Sequence, residues 1–364
     1  MLVVVEGSGG AAGWPEPGCR CASCLLQEQA RERSAILIDG LVRLRAGVAD
    51  GSADGGVLDG YRVRRVADAR DPRQPGGWDV TGLHGDRLLY PARPGAVPVP
   101  PEEASGYDIV FLDLLGDPAQ LGLLRARGLI TADTITAVAF ADHRVPSEAE
   151  LRRRCGFWRA ELPGDGDTVT TLRSEEKGLR TTRRMPWRVL VIGGARSGKS
   201  EQAELRLAGE PDVTYVAAGA GELAGDADWA ARVAAHRARR PAWWRTAETT
   251  DLAGVLAGAR GALLIDGIGT WLAAAMDECG AWDGSADSAR QLAATIAALV
   301  GAWRQTGAYV VAVSDEAGLG VVPGTPAGRM FRDELGRLNQ MLAAESEEAE
   351  LVVAGRVLPL TAGA

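Results

Sequence analysis

Lysine is nearly missing from this chain of 364 residues: Lys177 and Lys199 are the only two among 40 basic residues, and the rest are arginine. A composition that has drifted so far toward arginine keeps lysine where a compact ammonium on a flexible stem is needed. Histidine is almost as scarce, with three residues, His84, His143 and His236. Five cysteines give no disulfide framework in a chain of this length, so a reducing cytoplasm is expected. No apolar run approaches the ~20 residues that span a bilayer. Met1-Leu2-Val3-Val4-Val5 meets Glu6 too soon, and lacks the basic flank, for a signal peptide; it reads as a first strand. An excess of positive charge is also lacking. The net charge of −8 argues against nucleic acid or an anionic membrane as the main partner, although a local basic pocket can still hold phosphates. With 46% hydrophobic and 24% charged residues the chain has the balance of a folded soluble protein. Its length suggests two domains, and no repeat of fixed period is visible.

Against this background one segment stands out. Val189-Leu190-Val191-Ile192 reads as a buried parallel strand and runs directly into GGARSGKS, residues 193–200, the pattern of a phosphate-binding loop that opens a helix. Gly193, Gly194 and Gly198 let the backbone turn with its N–H groups inward, and Ala195, Arg196 and Ser197 complete the loop. In this pattern Lys199 reaches the β- and γ-phosphates and the Ser200 hydroxyl ligates Mg²⁺.

The stretch 171–186 is charged and without helical or strand period, so it reads as a linker between a domain at 1–170 and one at 187–364. Downstream of it the signals alternate: a helix from the loop to near Gly209, strand 213–217, helix 226–237, strand 262–265, helix 288–305, strand 308–314, helix 328–344 and mostly strand over 350–360. That order predicts an α/β fold with a doubly wound, mostly parallel sheet and its ligands at the carboxyl ends of the strands. The first half differs. Short strands at 1–5, 35–39, 62–66, 87–90, 108–112 and 136–140 are separated by Gly/Pro/Asp loops with few convincing helices, which predicts a mixed sheet or an αβ-sandwich.

Two further features of the second half carry chemistry. Ala262-Leu263-Leu264-Ile265-Asp266 ends a buried strand in a carboxylate, where such folds hold Mg²⁺; the simpler alternative is an aspartate capping the next turn. His236 falls near a helix end and is followed by Arg237, Arg239, Arg240 and Arg245. A lone histidine with an arginine run is commonly a solvated helix face. Yet imidazole is a nucleophile near neutral pH, and adjacent arginines neutralise a phosphate under attack.

In order along 187–364, GGARSGKS, H-x-x-x-R-P-A-x-W-R-T-x-E, LLIDGIGTWL and SDEAGLGVVP…RMFRDELGRLNQMLA resemble the bifunctional adenosylcobinamide kinase/adenosylcobinamide-phosphate guanylyltransferase family of cobalamin biosynthesis. The resemblance implies a P-loop NTPase fold and two reactions, phosphorylation of adenosylcobinamide and GMP transfer from GTP to adenosylcobinamide phosphate. It implies ATP, GTP and Mg²⁺ as the small molecules used, and a homotrimer. By position, His236 matches the family's guanylylated histidine and 193–200 its nucleotide loop. Ala217, Ala218 and Gly219 match a second nucleotide-contacting loop, and Arg237, Ala238, Arg239, Arg240, Glu248 and Asp266 further GTP-binding positions. Three positions depart: Gly269 where a threonine is usual, Asp315 where asparagine is common, and Ala317 where valine is usual.

GSGGAAGWPEPGCRCASC (residues 7–24) followed by Ser34-Ala35-Ile36-Leu37-Ile38-Asp39-Gly40 resembles the opening of metallo-β-lactamase-fold phosphodiesterases, an αββα architecture. That family's dinuclear site uses an H-x-H-x-D-H cluster and further histidines. Residues 1–170 hold only His84 and His143, so a catalytically inactive relative is expected, with Ala141-Asp142-His143 as a remnant of the motif. Cys19, Cys21 and Cys24 have the spacing with which such relatives hold structural zinc, and His84, His143 and Cys155 are candidates for the fourth ligand. Three reduced cysteines in a loop are the alternative. Two rival readings of the whole chain remain at this stage: a nucleotide-sensing regulatory or scaffold protein, and a metal-dependent phosphodiesterase working through the first domain.

Overall fold

Residues 1–45, 48–50, 57–58, 60–171, 186–219 and 239–360 are described by the computed structural model. The expected helix 226–237 and nearly all of the expected linker lie outside them. By its contacts the chain divides into two compact units, Met1–Thr182 with Ala208–Pro211, and Arg183–Leu207 with Asp212–Ala364.

The first unit begins with an alternating strand. In β1 (Leu2–Gly7), Val3 and Val5 are buried while Leu2 is exposed, the period of a strand with one face on a core. β1 pairs antiparallel with β2 (Ala35–Ile38), which pairs with β3 (Val42–Arg45) and through it with β4 (Val48–Asp50). A second sheet is formed by β5 (Val57–Leu58), β6 (Tyr61–Ala67), β7 (Pro75–Thr81), β8 (Arg87–Pro91), β9 (Ile109–Leu112) and β10 (Ile135–Val138). In it β7 to β10 are buried almost throughout. β11 (Thr168–Thr170) returns to the free edge of β1, giving the sheet orders β11-β1-β2-β3-β4 and β10-β9-β8-β7-β6-β5. Val3, Val5, Ile36, Ile38 and Leu44 of one sheet share a core with Val63, Trp78, Val80, Leu88, Tyr90, Ile109 and Phe111 of the other, so the unit is a two-sheet sandwich.

Several elements here differ from the sequence expectation, among them the unexpected strands β3, β4, β5, β7 and β11. Helices α2 (Ala119–Ala126) and α3 (Glu148–Trp158), which follow the short α1 (Ala22–Leu25), were not anticipated. α3 has little apolar periodicity. It is held by a side-chain cap, Ser147 Oγ accepting from the Glu150 amide, and by ion pairs of Glu148 with Arg152 and of Glu150 with Arg153 and Arg154. Strands expected to include Asp39 and Phe140 stop short of both, because these residues turn the chain at φ +48° and +58°.

The second unit is built on longer apolar strands. β12 (Trp187–Gly193), β13 (Val213–Ala217), β14 (Arg245–Glu248), β15 (Ala262–Asp266), β16 (Tyr309–Asp315) and β17 (Glu348–Val353) form a parallel sheet, and β18 (Arg356–Pro359) closes one edge antiparallel to β17. The order is β14-β13-β15-β16-β12-β17-β18. The central strands β12, β15 and β16 are covered on both faces, which is why they are apolar over most of their length rather than alternating. Leu190, Ile192, Leu263, Ile265, Val310 and Ala312 face a core shared with helices α5 (Leu252–Ala257), α6 (Ile268–Glu278), α7 (Ala286–Gln305) and α8 (Pro326–Ala344). Val189, Val191, Leu264, Val311 and Val313 face the other side with Ala203 and Leu207 of α4 (Lys199–Leu207). α7 shows how sequence sets the packing: Ser285 caps it, and Leu292, Ile296, Leu299, Val300 and Trp303 recur at helical spacing on its buried face.

Among the described residues no helix is long and apolar enough to cross a membrane.

Candidate active site

The strand register lines up the residues singled out from the sequence. Ala217 pairs with Glu248 on one side and Asp266 on the other, and Gly193 pairs with Asp315. All five therefore end their strands along one carboxyl edge of the sheet, where α/β folds bind ligands. Glu248 is exposed at the far strand of that row. Four strand spacings of about 4.8 Å place it about 19 Å from the loop strand, beyond reach of a phosphate held by the loop.

The loop itself is sharply constrained. Gly198 adopts φ +95°, which a side chain disfavours, and Arg196 adopts φ +57° although it carries one. Gly193 is required for space. A Cβ there would strike Ser197 Oγ and stand 2.7 Å from the Val352 carbonyl, whereas nothing crowds Gly194. Gly193→Ala is expected to destabilise the protein by about 1–3 kcal/mol through this overpacking, seen as a lower urea midpoint. Gly194→Ala, tested in parallel, should leave the midpoint unchanged.

Lys199 and Ser200 stand in the first turn of α4. Lys199 Nζ donates to the Gly194 carbonyl at 3.2 Å and pairs with Asp315 Oδ1 at 2.9 Å. Ser200 Oγ lies 3.5 Å from Asp266 Oδ1. Hydroxyl and carboxylate are both hard oxygen donors, so their chemistry fits Mg²⁺. Asp266 Oδ2 accepts a hydrogen bond of 2.8 Å from the Tyr215 hydroxyl. Burial first, and then the Asp266 charge, push the Tyr215 phenol well above its ordinary pKa, so it stays protonated and able to donate.

Arg240 lies over the Tyr215 ring, 3.6 Å from its centroid, and Arg239 Nε donates to Glu204 Oε2 of α4 at 3.0 Å. Arg239 is thereby held to α4 and Arg240 to β13. Ala218 donates its amide to the Asp266 carbonyl, and Gly219 lies against Thr270. His236, Arg237 and Ala238 lie outside the described residues.

Sequence reasoning passed over three contributors. Asp315 was noted only as a departure, yet it is the carboxylate that meets Lys199. Its signal was available, since Tyr309–Asp315 ends an apolar strand in a carboxylate just as Ala262–Asp266 does. Buried Asn339 fixes that strand tip, accepting from Ser314 Oγ at 2.6 Å and donating to the Asp315 carbonyl at 3.1 Å. Tyr215 is the third, hidden inside an ordinary strand pattern. Two of the three departures are neighbours in space, because a Cβ at Gly269 would stand 2.9 Å from Asp315 Oδ2. The missing side chain at 269 gives the Asp315 carboxylate its room.

In the first unit, the thiols of Cys19, Cys21 and Cys24 and a ring nitrogen of His143 lie within 4.8 Å of one another. The Cys24 amide donates to Cys21 Sγ, the Glu16 amide to Cys24 Sγ, and His143 Nδ1 is 3.5 Å from Cys24 Sγ. Neither His84 nor Cys155 belongs to this group; Cys155 is a core residue whose thiol burial pushes up to about 12. Asp142, beside His143, serves a different network. Fully buried Asp113 accepts from the Gly95 amide at 2.5 Å and from Arg144 Nη1 at 2.7 Å, while Arg144 Nε also holds Asp142 at 2.8 Å. A guanidinium thus compensates these carboxylates, as a buried charge requires.

The family model of cobinamide kinase / cobinamide phosphate guanyltransferase matches residues 189–360. The chain is 38% identical over 182 residues to the bifunctional adenosylcobalamin biosynthesis protein CobU of Salmonella typhimurium, covering 46% of this chain and 96% of that protein. It is 40% identical over 179 residues to the bifunctional adenosylcobalamin biosynthesis protein CobP of Pseudomonas aeruginosa, covering 48% of this chain and 96% of that protein. The Escherichia coli protein CobU is 36% identical over 177 residues, again with 96% of its length covered. Through its second unit, with the phosphate loop, the strand-tip carboxylates and these relatives all falling on the same residues, the chain belongs to the cobinamide kinase / cobinamide phosphate guanyltransferase family.

Proposed function

We propose that the second unit phosphorylates adenosylcobinamide and then transfers GMP from GTP to the adenosylcobinamide phosphate, yielding adenosyl-GDP-cobinamide. The observation that carries this reading is the Lys199–Ser200–Asp266 arrangement on the carboxyl edge of a sheet whose sequence matches the family along its length. In the kinase step the acceptor hydroxyl oxygen forms a bond to the γ-phosphorus. The bond from that phosphorus to the β–γ bridging oxygen breaks, the nucleoside diphosphate leaves, and the hydroxyl proton passes to solvent. Lys199 leaves Asp315 for the phosphates and balances the charge that builds on the transferred group. Ser200 and Asp266 are the residues that would hold Mg²⁺, which when bound neutralises phosphate charge.

For guanylyl transfer we assign the nucleophile to His236. Its imidazole attacks the α-phosphorus of GTP, pyrophosphate departs, and a phosphoramidate carries GMP until the phosphate oxygen of adenosylcobinamide phosphate displaces the histidine. Splitting the transfer in two is the usual advantage of a covalent nucleophile. Arg239 and Arg240, three and four residues further along the chain, are held at the loop helix and at Tyr215, where guanidinium groups can grip a polyphosphate. Incubation with adenosylcobinamide, ATP and GTP tests the reading. Formation of adenosyl-GDP-cobinamide supports it, and GTP binding without turnover would favour a regulatory or scaffold role.

For the first unit we infer a non-catalytic relative of the metallo-β-lactamase fold. The two-sheet sandwich and the Arg144–Asp113–Asp142 network support this, together with a sequence that holds only His84 and His143 over residues 1–170. Cys19, Cys21, Cys24 and His143 fit structural zinc. Three thiolates and an imidazole are its common ligands, and bonds of about 2.0–2.3 Å in a tetrahedron agree with the compact group. The site would tie the N-terminal loop to the segment at 141–145. The full chain is expected to contain stoichiometric zinc by metal analysis. His143→Ala should lose most of it, whereas His84→Ala should retain it.

A further inference from the structure

We propose that Tyr215 is a positioning residue for the phosphoryl-transfer site: it fixes the rotation of the Asp266 carboxylate and couples that carboxylate to the arginine segment that follows His236. The inference rests on the reading of Asp266 as the Mg²⁺ carboxylate. Tyr215 lies on β13, two residues before the strand tip, and pairs with Leu264, two residues before Asp266. Its side chain is buried on the α4 face of the sheet with Val213, Leu264 and Leu207. From there the hydroxyl reaches Asp266 Oδ2 at 2.8 Å, while the other carboxylate oxygen, Oδ1, faces Ser200 Oγ at 3.5 Å. With Oδ2 engaged by the phenol, Oδ1 remains turned toward the helix that begins with Lys199 and Ser200.

The other side of the same residue meets Arg240, whose guanidinium carbon is 3.6 Å from the ring centroid. Arg239 is bound to Glu204, a mostly buried residue of α4. One phenol therefore touches the metal-side carboxylate through its oxygen and the arginine segment through its ring. Those two properties separate by substitution. Phenylalanine keeps the packing volume and the ring beneath Arg240 but removes the hydrogen bond, and leucine removes both.

Calorimetric titration of the full chain with ATP, with and without Mg²⁺, reads the first contact. In Tyr215→Phe the gain in ATP affinity that Mg²⁺ provides should shrink about tenfold, the scale of one lost hydrogen bond to a charged group, with metal-free ATP affinity unchanged. In an Asp266→Asn background the same substitution should have almost no effect on that gain, because the oriented carboxylate is already gone. Tyr215→Leu should slow guanylylation by GTP further than Tyr215→Phe does, because it also removes the ring beneath Arg240. Equal weakening of ATP binding with and without Mg²⁺, or an undiminished effect of Tyr215→Phe in the Asp266→Asn background, would show a merely structural role and overturn the proposal. No change in Tyr215→Phe would overturn it as well. Failure of the functional reading looks different: the parent protein would bind Mg²⁺ and ATP but not phosphorylate adenosylcobinamide, and the Tyr215 comparison would still stand.

Discussion

Lys199→Ala is expected to lower both adenosylcobinamide phosphorylation and GMP transfer by about 10³-fold, the loss seen when one preorganised charge donor leaves a transition state. Both reactions require a polyphosphate seated in the same loop, so one substitution should damage both. No second ammonium can take over, since the chain's only other lysine is Lys177. Lys199→Arg should recover little. Its planar, larger guanidinium does not reproduce a point charge entering a loop closed by Gly193 and Gly198, and a chain rich in arginine has nonetheless kept lysine here. Stability should hardly change, because the Lys199–Asp315 pair involves a half-exposed carboxylate and such pairs contribute about 0–1 kcal/mol. Steady-state assays of both steps, with a thermal melt as control, check this. A variant that keeps either activity would break the shared-seat account.

His236→Ala should separate what Lys199→Ala joins. It is expected to abolish acid-labile labelling of the protein from α-labelled GTP and with it the transfer of GMP, a loss beyond about 10³-fold where a covalent nucleophile is removed. Phosphorylation of adenosylcobinamide should persist within a few-fold, because the γ-phosphoryl transfer does not pass through the imidazole. The reverse pattern, with labelling retained and kinase lost, would reassign both residues.

The loop was legible because its chemistry dictates its sequence. Gly193 has no room for a side chain, Gly198 turns with positive φ, and Lys199 is the rare residue in its context. The centre of the doubly wound sheet was legible for a related reason: its strands, buried on both faces, are written as nearly uninterrupted apolar runs. Contacts made by side chains distant in sequence were not readable. Tyr215 looked like any aromatic in a strand, and only the parallel register brings it beside the strand that ends in Asp266. The Asp315–Lys199 pair spans more than a hundred residues and depends on the space left at Gly269. In the first unit α3 escaped notice because caps and ion pairs hold it, with little apolar stripe to mark it. The cysteines at 19, 21 and 24 were conspicuous, but choosing His143 over His84 and Cys155 required the fold.

At Asp315, where the resemblance leads one to expect asparagine, a carboxylate sits against Lys199.

The central claim is that one phosphate seat serves two reactions, with His236 providing the covalent step. Mass spectrometry of the full chain after incubation with GTP and Mg²⁺ tests it most directly. The account predicts GMP on the peptide containing His236, discharged when adenosylcobinamide phosphate is added. GMP on another residue, or product formed with no protein-bound GMP at any time, would contradict it.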